Sequence, residues 1–582
     1  MKSESFETLP AGEPDNEKQH SLQTEIDGNS NESIVPNWYK MCNSSVLSLE
    51  LLPILEFKKF KNDISYYFSQ EGGLAGCFAV PIKSLGSIGK HSKITNALQT
   101  TSDTLDPIYL LAVALKVRRE GALLLAATII SNSYPSLSVD LPAFHIFERE
   151  IYEQFGIQPI GHPWLKPVRF LHKTRSKNDN KQNQLTQNLE QSIGIMDYFS
   201  IEDEGVHEVA VGPVHAGVIE PGHFRFQCFG EEVLHLEISL GYQHRGVEKE
   251  LLGGPYKRTL FQIETIAGDT TIGHVTAYCQ IMESMLNIPV SIRDQIMRGI
   301  ALELERVANH TGDLGALAHD VGFLPTASYC GRLRGEFLNR TASWCGNRFG
   351  RSLVIPGGLR FDLTEKKRQL IQKDWEKVVR DVHNACECLF ASAIVQSRFE
   401  GVGEITEADC RKFDFVGMVA RSTGLEWDVR SDFPDGLWRF VQIPVAIVSS
   451  GDVQSRAYLR WLEVRRSLEM IQSQLEFLGS VNDISVNEIE ETRTSSQLSS
   501  RSLNELQTLP AHHLAISMVE GWRGEICHIA ITNDEGKFAC YKIFDPSFRN
   551  WFALSLSLRN QTISDFPLCN KSFNLSYCGH DL

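Results

Sequence analysis

FEREIYEQFGIQPIGHPWLKPVRFL, residues 147–171, sets Glu148, Arg149, Glu150 and Glu153 on a predicted helix that stops at Phe155-Gly156. Gly161-His162-Pro163 then makes a stiff turn, because glycine accepts the left-handed backbone at a helix end and proline cannot continue a helix. Upstream lie three apolar runs with strand character, AGCFAVPI (75–82), PIYLLAVALKV (107–117) and GALLLAATII (121–130). Ile108 to Ile130 is the most apolar stretch, but Lys116, Arg118, Arg119 and Glu120 interrupt it. It reads as two strands about a charged turn and is too broken for a membrane helix. Strands followed by an amphipathic helix near Pro142 to Gln154 make an α+β N-terminal domain over residues 50–171.

Composition changes on either side of this unit. Residues 1–37 carry eight acids and two bases, so 1–40 is expected to be a disordered acidic N-terminus without a secretory h-region. Residues 172–198 are expected to form a polar linker. Beyond it, 205–582 reads as a mainly helical C-terminal domain with small β-hairpins. Phe224, Phe226 and Cys228, then Leu234, Leu236, Ile238 and Leu240, alternate with polar residues about a turn at Gly230. Helical patterns fill 256–345, 364–398 and 451–479; a Ser/Thr/Glu-rich surface insertion is expected at 481–508, and a hairpin at 525–544.

Charge and cysteine usage exclude several classes. Lys+Arg of 57 against Asp+Glu of 72 gives a net charge of −15, which disfavours nucleic acid as a partner. The 13 cysteines contain no C-x-x-C, so zinc-ribbon, ferredoxin and thioredoxin sites lack their spacing, and a reducing cytosol is expected. No dinucleotide fingerprint is present, so this chain does not bind NADH in the usual way.

The 147–171 segment resembles the end of the 30-kilodalton subunit of respiratory complex I, a scaffold without a redox centre. GPVHAGVIEPGHFRF (212–226), GYQHRGVEKELLG (241–253), ELERVANHTGDLGALAHDVGF (303–323) and NRFGRSLVIPGGLRFD (347–362) occur in the order of a second family. They resemble the 49-kilodalton subunit of complex I and the large subunit of group 4 nickel–iron hydrogenases, of the formate hydrogenlyase and hydrogenase-4 type. The chain therefore looks like a fusion of the two subunits, similar to the C/D-type subunit of NADH-quinone oxidoreductases.

The hydrogenase resemblance implies two C-x-x-C pairs of thiolate ligands. With the motif's histidine at His274 in IETIAGDTTIGHVTAY (263–278), the first pair falls on Ala267 and Thr270. The second, after Asp545-Pro546, falls on Ser547 and Asn550. All four thiolates are replaced, so no metal is expected. The complex I solution is replaced too. Ile219 stands at the expected quinone-binding histidine, Gly268 at the tyrosine, and Gly350-Arg351-Ser352 at the histidine-rich turn beside the terminal cluster.

What remains is a polar set: Glu248, His274 and Asp269 as proton-transfer candidates, with Asp545 and Ser547 expected opposite. A hydrogen-bonded core filling the vacated space is the alternative for His274 and Asp269. His244 and Arg245 match positions that lie near a 4Fe–4S cluster held by a partner protein. His215 and His223 read as turn stabilisers, and Cys279, Cys330 and Cys345 as small buried apolar residues. The resemblance implies no cofactor bound by this chain, an iron–sulfur small subunit and antiporter-like membrane subunits as partners, and a cytoplasmic place peripheral to the inner face of the cell membrane. Quinone is the leading electron carrier. The chain is then an oxidoreductase subunit active only in a complex, with a non-catalytic scaffold as the alternative and an active nickel–iron hydrogenase as the least favoured reading. Without a metal to trigger cleavage, the tail 565–582 is expected to stay packed.

Overall fold

β1 (Tyr39–Cys42), β3 (Gly73–Pro81), β4 (Tyr109–Val117) and β5 (Ala122–Ile130) form an antiparallel sheet in the order β1-β5-β4-β3. The computed structural model describes residues 37–87, 107–171, 194–215, 219–484 and 508–582. The expected insertion and linker therefore lie largely outside the described residues, although the preceding helix runs on to Ile484. At the other end the described chain begins inside the expected disordered lead-in. Trp38 is buried and stacks on Phe60 at 5.7 Å between ring centroids, which holds β1 in place. β4 and β5 are the two strands expected about the charged turn, paired in register from Tyr109↔Ile130 to Val117↔Ala122. Helix α1 (Phe57–Ser69) and helix α2 (His145–Phe155) accompany this sheet, and α2 ends at Gly156 in left-handed backbone, φ 75°. A two-stranded parallel pair, β6 (Ser133–Pro135) and β7 (Gln158–Ile160), brackets α2 in sequence.

The C-terminal half carries β8 (Val206–Val211), β9 (His223–Phe229) and β10 (Glu232–Ser239) as one antiparallel sheet. Its helices include α3 (Thr271–Leu286), α4 (Ile292–Asp320), α5 (Leu324–Cys345) and α6 (Val453–Ile484). A small ladder, β11 (Val354–Ile355) with β12 (Gly358–Leu359), makes the turn at Pro356-Gly357. Ser291 caps α4 by accepting a hydrogen bond from the Asp294 N–H, as its place before an amphipathic run requires.

β13 (His513–Glu520), β14 (Glu525–Thr532) and β15 (Phe538–Phe544) form a meander, and β2 (Ser45–Ser48) pairs with the free edge of β13. A four-residue strand from the N-terminal end of the chain thus completes a C-terminal sheet. Both faces of this sheet are buried. Leu514, Ile516, Met518, Cys527, Ile529, Ile531, Cys540 and Phe544 pack into the core of the N-terminal domain. Ala515, Val519, Ile526, Ala530, Tyr541 and Ile543 pack into the helical core. The strands are therefore apolar almost throughout, with the period-2 alternation dividing residues between two cores. Helix α7 (Pro546–Ser557) follows β15 directly.

Candidate functional site

The site is built where the start of α3 meets the sheet β13–β15. His274 lies in the first turns of α3, fully buried. Glu305, reaching across from α4, accepts hydrogen bonds from the Ile272 and Gly273 N–H groups at 2.7 and 3.2 Å, satisfying the open end of α3. Burial pushes the Glu305 carboxyl up to about 8. A Cβ on Gly273 would come within 2.8 Å of Ile526 Cδ1, so a glycine is what lets α3 approach β14 closely.

His274 Nε2 is 3.0 Å from Asp545 Oδ2, and His274 Nδ1 is 3.1 Å from His528 Nε2. His528 Nδ1 in turn is 3.0 Å from the Tyr541 hydroxyl. Donor rules orient the chain: an ionised carboxylate only accepts, so His274 Nε2–H donates to Asp545. Neutral His274 then accepts at Nδ1 from His528 Nε2–H, and His528 accepts at Nδ1 from the Tyr541 hydroxyl. A proton added to His274 Nδ1 reverses the remaining hydrogen bonds as far as Tyr541. Burial, and next the neighbouring His274, holds His528 well below the usual histidine range, so it is the neutral link. Burial lifts the Tyr541 phenol well above its ordinary value. Burial would also raise Asp545; the hydrogen bond from His274, with Arg523 and the Ser547 N–H, overcomes it and keeps the carboxyl low. Asp545 is the N-cap of α7, accepting from Ser547 N at 2.8 Å. Gly579 passes so close that its Cβ would lie 2.7 Å from Asp545 Cγ.

Asp269 lies beside this chain in a two-pronged pair with Arg523, at 2.6 and 2.8 Å. Burial pushes the Asp269 carboxyl upward, but Arg523 prevails and holds it below the usual value. Arg523 packs over the Trp522 ring at 3.9 Å, and the Trp522 indole N–H donates to Asp269 O and Thr270 Oγ1.

The four positions matched to metal ligands can be tested against what they now do. Ala267 is buried and offers only a methyl group; its carbonyl accepts from Thr270 N. Thr270 Oγ1 binds Trp522 and Arg523. Ser547 Oγ accepts from Ser576 N at 2.9 Å. Asn550 uses both ends of its amide on the Val416 backbone, at 2.9 and 3.1 Å. None of the four carries sulfur, and every side-chain oxygen or nitrogen among them is already bonded within the chain. These residues do not fit a thiolate-held nickel–iron centre. Among the described residues, no group of three or more His, Cys, Asp or Glu side chains could hold a metal ion.

The structure thus brings His274, Asp269, Asp545 and Ser547 to one place, and sets Glu248 in another network. Lys542 Nζ lies 2.6 Å from Glu248 and 3.0 Å from Glu150, and Glu150 also pairs with Arg169. Burial works against the charge on Glu150, but Lys542 and Arg169 hold its carboxyl below the usual range. His244 is partly buried and burial, then Arg169, lowers its pKa, whereas Arg245 is exposed and donates to Ile266 O. His215 and His223 pin one hairpin loop reciprocally, through Gly222 O at 3.1 Å and Gly212 O at 3.0 Å. The tail is packed as expected: Asp581 accepts from Gly241 N and Gln243 N, and Leu582 is buried. Sequence reading passed over His528, Tyr541, Arg523 and Glu305. His528 and Tyr541 stand at alternating strand positions without a motif, and their partners lie more than 250 residues away in the case of His528 and Arg523.

Comparison with known proteins agrees with this architecture. Residues 320–581 match the family of the respiratory-chain NADH dehydrogenase 49 Kd subunit, and residues 91–177 that of its 30 Kd subunit. Formate hydrogenlyase subunit 5 of Escherichia coli (strain K12) is 28% identical over 463 residues, 76% of each chain. The carbon monoxide-induced hydrogenase of Rhodospirillum rubrum is 27% identical over 369 residues, covering 63% of this chain and 97% of that protein. The C/D subunit of the NADH-quinone oxidoreductase of Methylococcus capsulatus (strain ATCC 33009 / NCIMB 11132 / Bath) is 25% identical over 492 residues, 78% of this chain and 82% of that one. No helix among the described residues is long and apolar enough to cross a membrane.

Proposed function

Because the chain fuses a 30 Kd-type to a 49 Kd-type domain of the respiratory-chain NADH dehydrogenase families, we propose that it is the fused subunit of a membrane-associated redox complex, complex I-like or hydrogenase-related. In this reading it lies in the cytoplasm, peripheral to the inner face of the cell membrane. It packs against an iron–sulfur small subunit that holds a 4Fe–4S cluster, with Arg245 and His244 toward that partner, and stands above antiporter-like membrane subunits. A quinone-like carrier exchanges electrons at the interface, and this chain moves the accompanying proton without a nickel–iron centre.

The observation that carries the reading is the unbroken buried chain Tyr541–His528–His274–Asp545, with each link at 3.0–3.1 Å. Such a chain can pass a proton by exchanging hydrogen bonds, and its carboxylate end is anchored by a helix N-terminus that favours negative charge. Its position beside Thr270 and Ser547 supports a role for the remodelled pocket itself.

A scaffold without redox substrate is the second reading, favoured by the fact that Thr270, Ser547 and Asn550 are each committed to hydrogen bonds that hold the fold. Three measurements on the purified complex test the proposal, and the last two separate it from the scaffold. Metal analysis is expected to find far less than one nickel per chain; stoichiometric nickel would sink the proposal. A quinone analogue is expected to bind, and His274→Ala to lower proton-coupled turnover more than Glu248→Gln, whose residue lies in the other network. Absence of binding together with unchanged turnover in both variants would leave the scaffold reading.

A further inference from the structure

A second group of buried charges gathers about the end of β13, and its charges do not balance. Arg306 and Glu303 of α4, Glu463 of α6, Glu520 at the end of β13, Arg421, and the Asp428–Arg430 pair form one continuous network. The links run from 2.7 Å for Arg421–Glu520 to 3.8 Å for Arg421–Asp428. Every member is buried. Three guanidiniums face four carboxylates, so full ionisation would leave one uncompensated negative charge in the interior. His310 bonds Glu463 at 2.9 Å, and burial keeps it below the usual histidine range, so it does not supply the missing positive charge; Asp432, which accepts from the Asp428 N–H, has Arg118 at 3.7 Å and leaves the count unchanged. An unpaired buried charge costs several kcal/mol, far more than adding a proton near neutral pH.

The partners decide which carboxyl carries the proton. Glu463 meets Arg306, Arg421 and His310; Glu303 meets Arg306, Arg430 and Ser467; Asp428 meets Arg430 through both oxygens and has Arg421 at 3.8 Å. Glu520 has one guanidinium, Arg421, and the Val429 N–H. Burial, together with Asp428, pushes its pKa up to about 7 against the pull of Arg421, Arg306 and Arg430.

Glu520 also borders a cavity of about 370 Å³, lined in part by Thr276, Gln295, Arg430, Leu437 and Trp438. That is room for on the order of ten waters. Among the cavity's other charged groups, Glu283 is paired with Arg298 and Asp435 with Arg439, so they leave the count unchanged.

We propose that Glu520 is a proton-binding carboxyl served by this cavity, a second proton site separate from the His274 chain. A hydronium in the cavity gives its proton to a Glu520 oxygen and leaves as water; deprotonation reverses the step. The turn after β13 joins the two sites, since Arg306 donates to Glu520 O and Gly521 O while Trp522 and Arg523 hold Thr270 and Asp269.

Infrared titration of the full chain tests this. A carboxylic-acid carbonyl band that disappears between about pH 6 and about pH 8 is expected in the wild type. Glu520→Gln should remove one proton's worth of it and abolish the matching proton uptake. Glu520→Asp, which keeps the acid one methylene shorter, should move the midpoint and serves if the first variant does not fold. Glu305→Gln should leave this component in place. A band and uptake unaltered by either Glu520 variant, or no protonated carboxyl near neutral pH in the wild type, would overturn the proposal.

Discussion

Asp545 and Glu520 stand at ends of the same sheet, one following β15 and the other closing β13, and both are buried. Their surroundings make them opposites. Asp545 has the His274 imidazole, a helix N-terminal N–H and Arg523 close by, a set that stabilises the anion. Glu520 is held toward the acid by burial and by the neighbouring Asp428, which outweigh the pull of the three guanidiniums it shares with three other carboxylates. A buried carboxyl's protonation therefore follows from the charge count of its whole neighbourhood, and one sheet can hold a permanent anion at one end and a proton carrier at the other.

The largest expected effect comes from removing a shared partner. Glu463→Ala should destabilise the fold by about 3–5 kcal/mol, since Arg421, Arg306 and His310 lose a common carboxylate; chemical denaturation measures it. Arg523→Ala at the other site should cost about 1–3 kcal/mol by stripping Asp269 of its fork, and a loss as large as that of Glu463→Ala would erase the contrast between the two regions. The contrast sharpens with pH. The depressed Asp545 pKa adds stability that is present above the unfolded value, about 3.9, and lost as pH falls through the folded value. Asp545→Asn should thus fall short of the wild type at neutral pH and converge with it in acid. The raised Glu520 pKa has the reverse sign. Folded chains hold a proton that unfolded ones release above about pH 4.3, so wild-type stability should decline toward pH 8 relative to Glu520→Gln. The smallest effect is expected for Tyr541→Phe, under about 1.5 kcal/mol in stability, with slowed proton transfer if the hydroxyl ends the relay. Intact mass spectrometry should also recover the tail 565–582, whose Asp581 and His580 carbonyl hold Gly241 and Arg169.

Much of the fold was legible in the chain because it rests on local periodicity. The strands at 109–117 and 122–130, the α2 helix with its Gly156 stop, and the hairpin after 525 follow from apolar spacing and turn residues. The four positions without thiolates could also be read, since motif order fixes them in sequence. His274 and Asp545 were placed opposite each other by that order, and lie 3.0 Å apart. His528 and Tyr541 could not be found this way, because a polar residue inside an apolar strand looks the same whether it meets a helix, a second sheet or water.

The sequence alone determined that the four positions matched by resemblance to thiolate ligands carry no sulfur, since a missing sulfur is a fact of composition. Only the tertiary structure decided what took its place. Paired hydrogen bonds and balanced charge depend on side chains brought together from positions hundreds of residues apart, and electroneutrality is a property of a buried volume that linear order does not record. That is why Glu520, unremarked at the end of an apolar strand, becomes the carboxyl left with a single guanidinium where four carboxyls share three arginines.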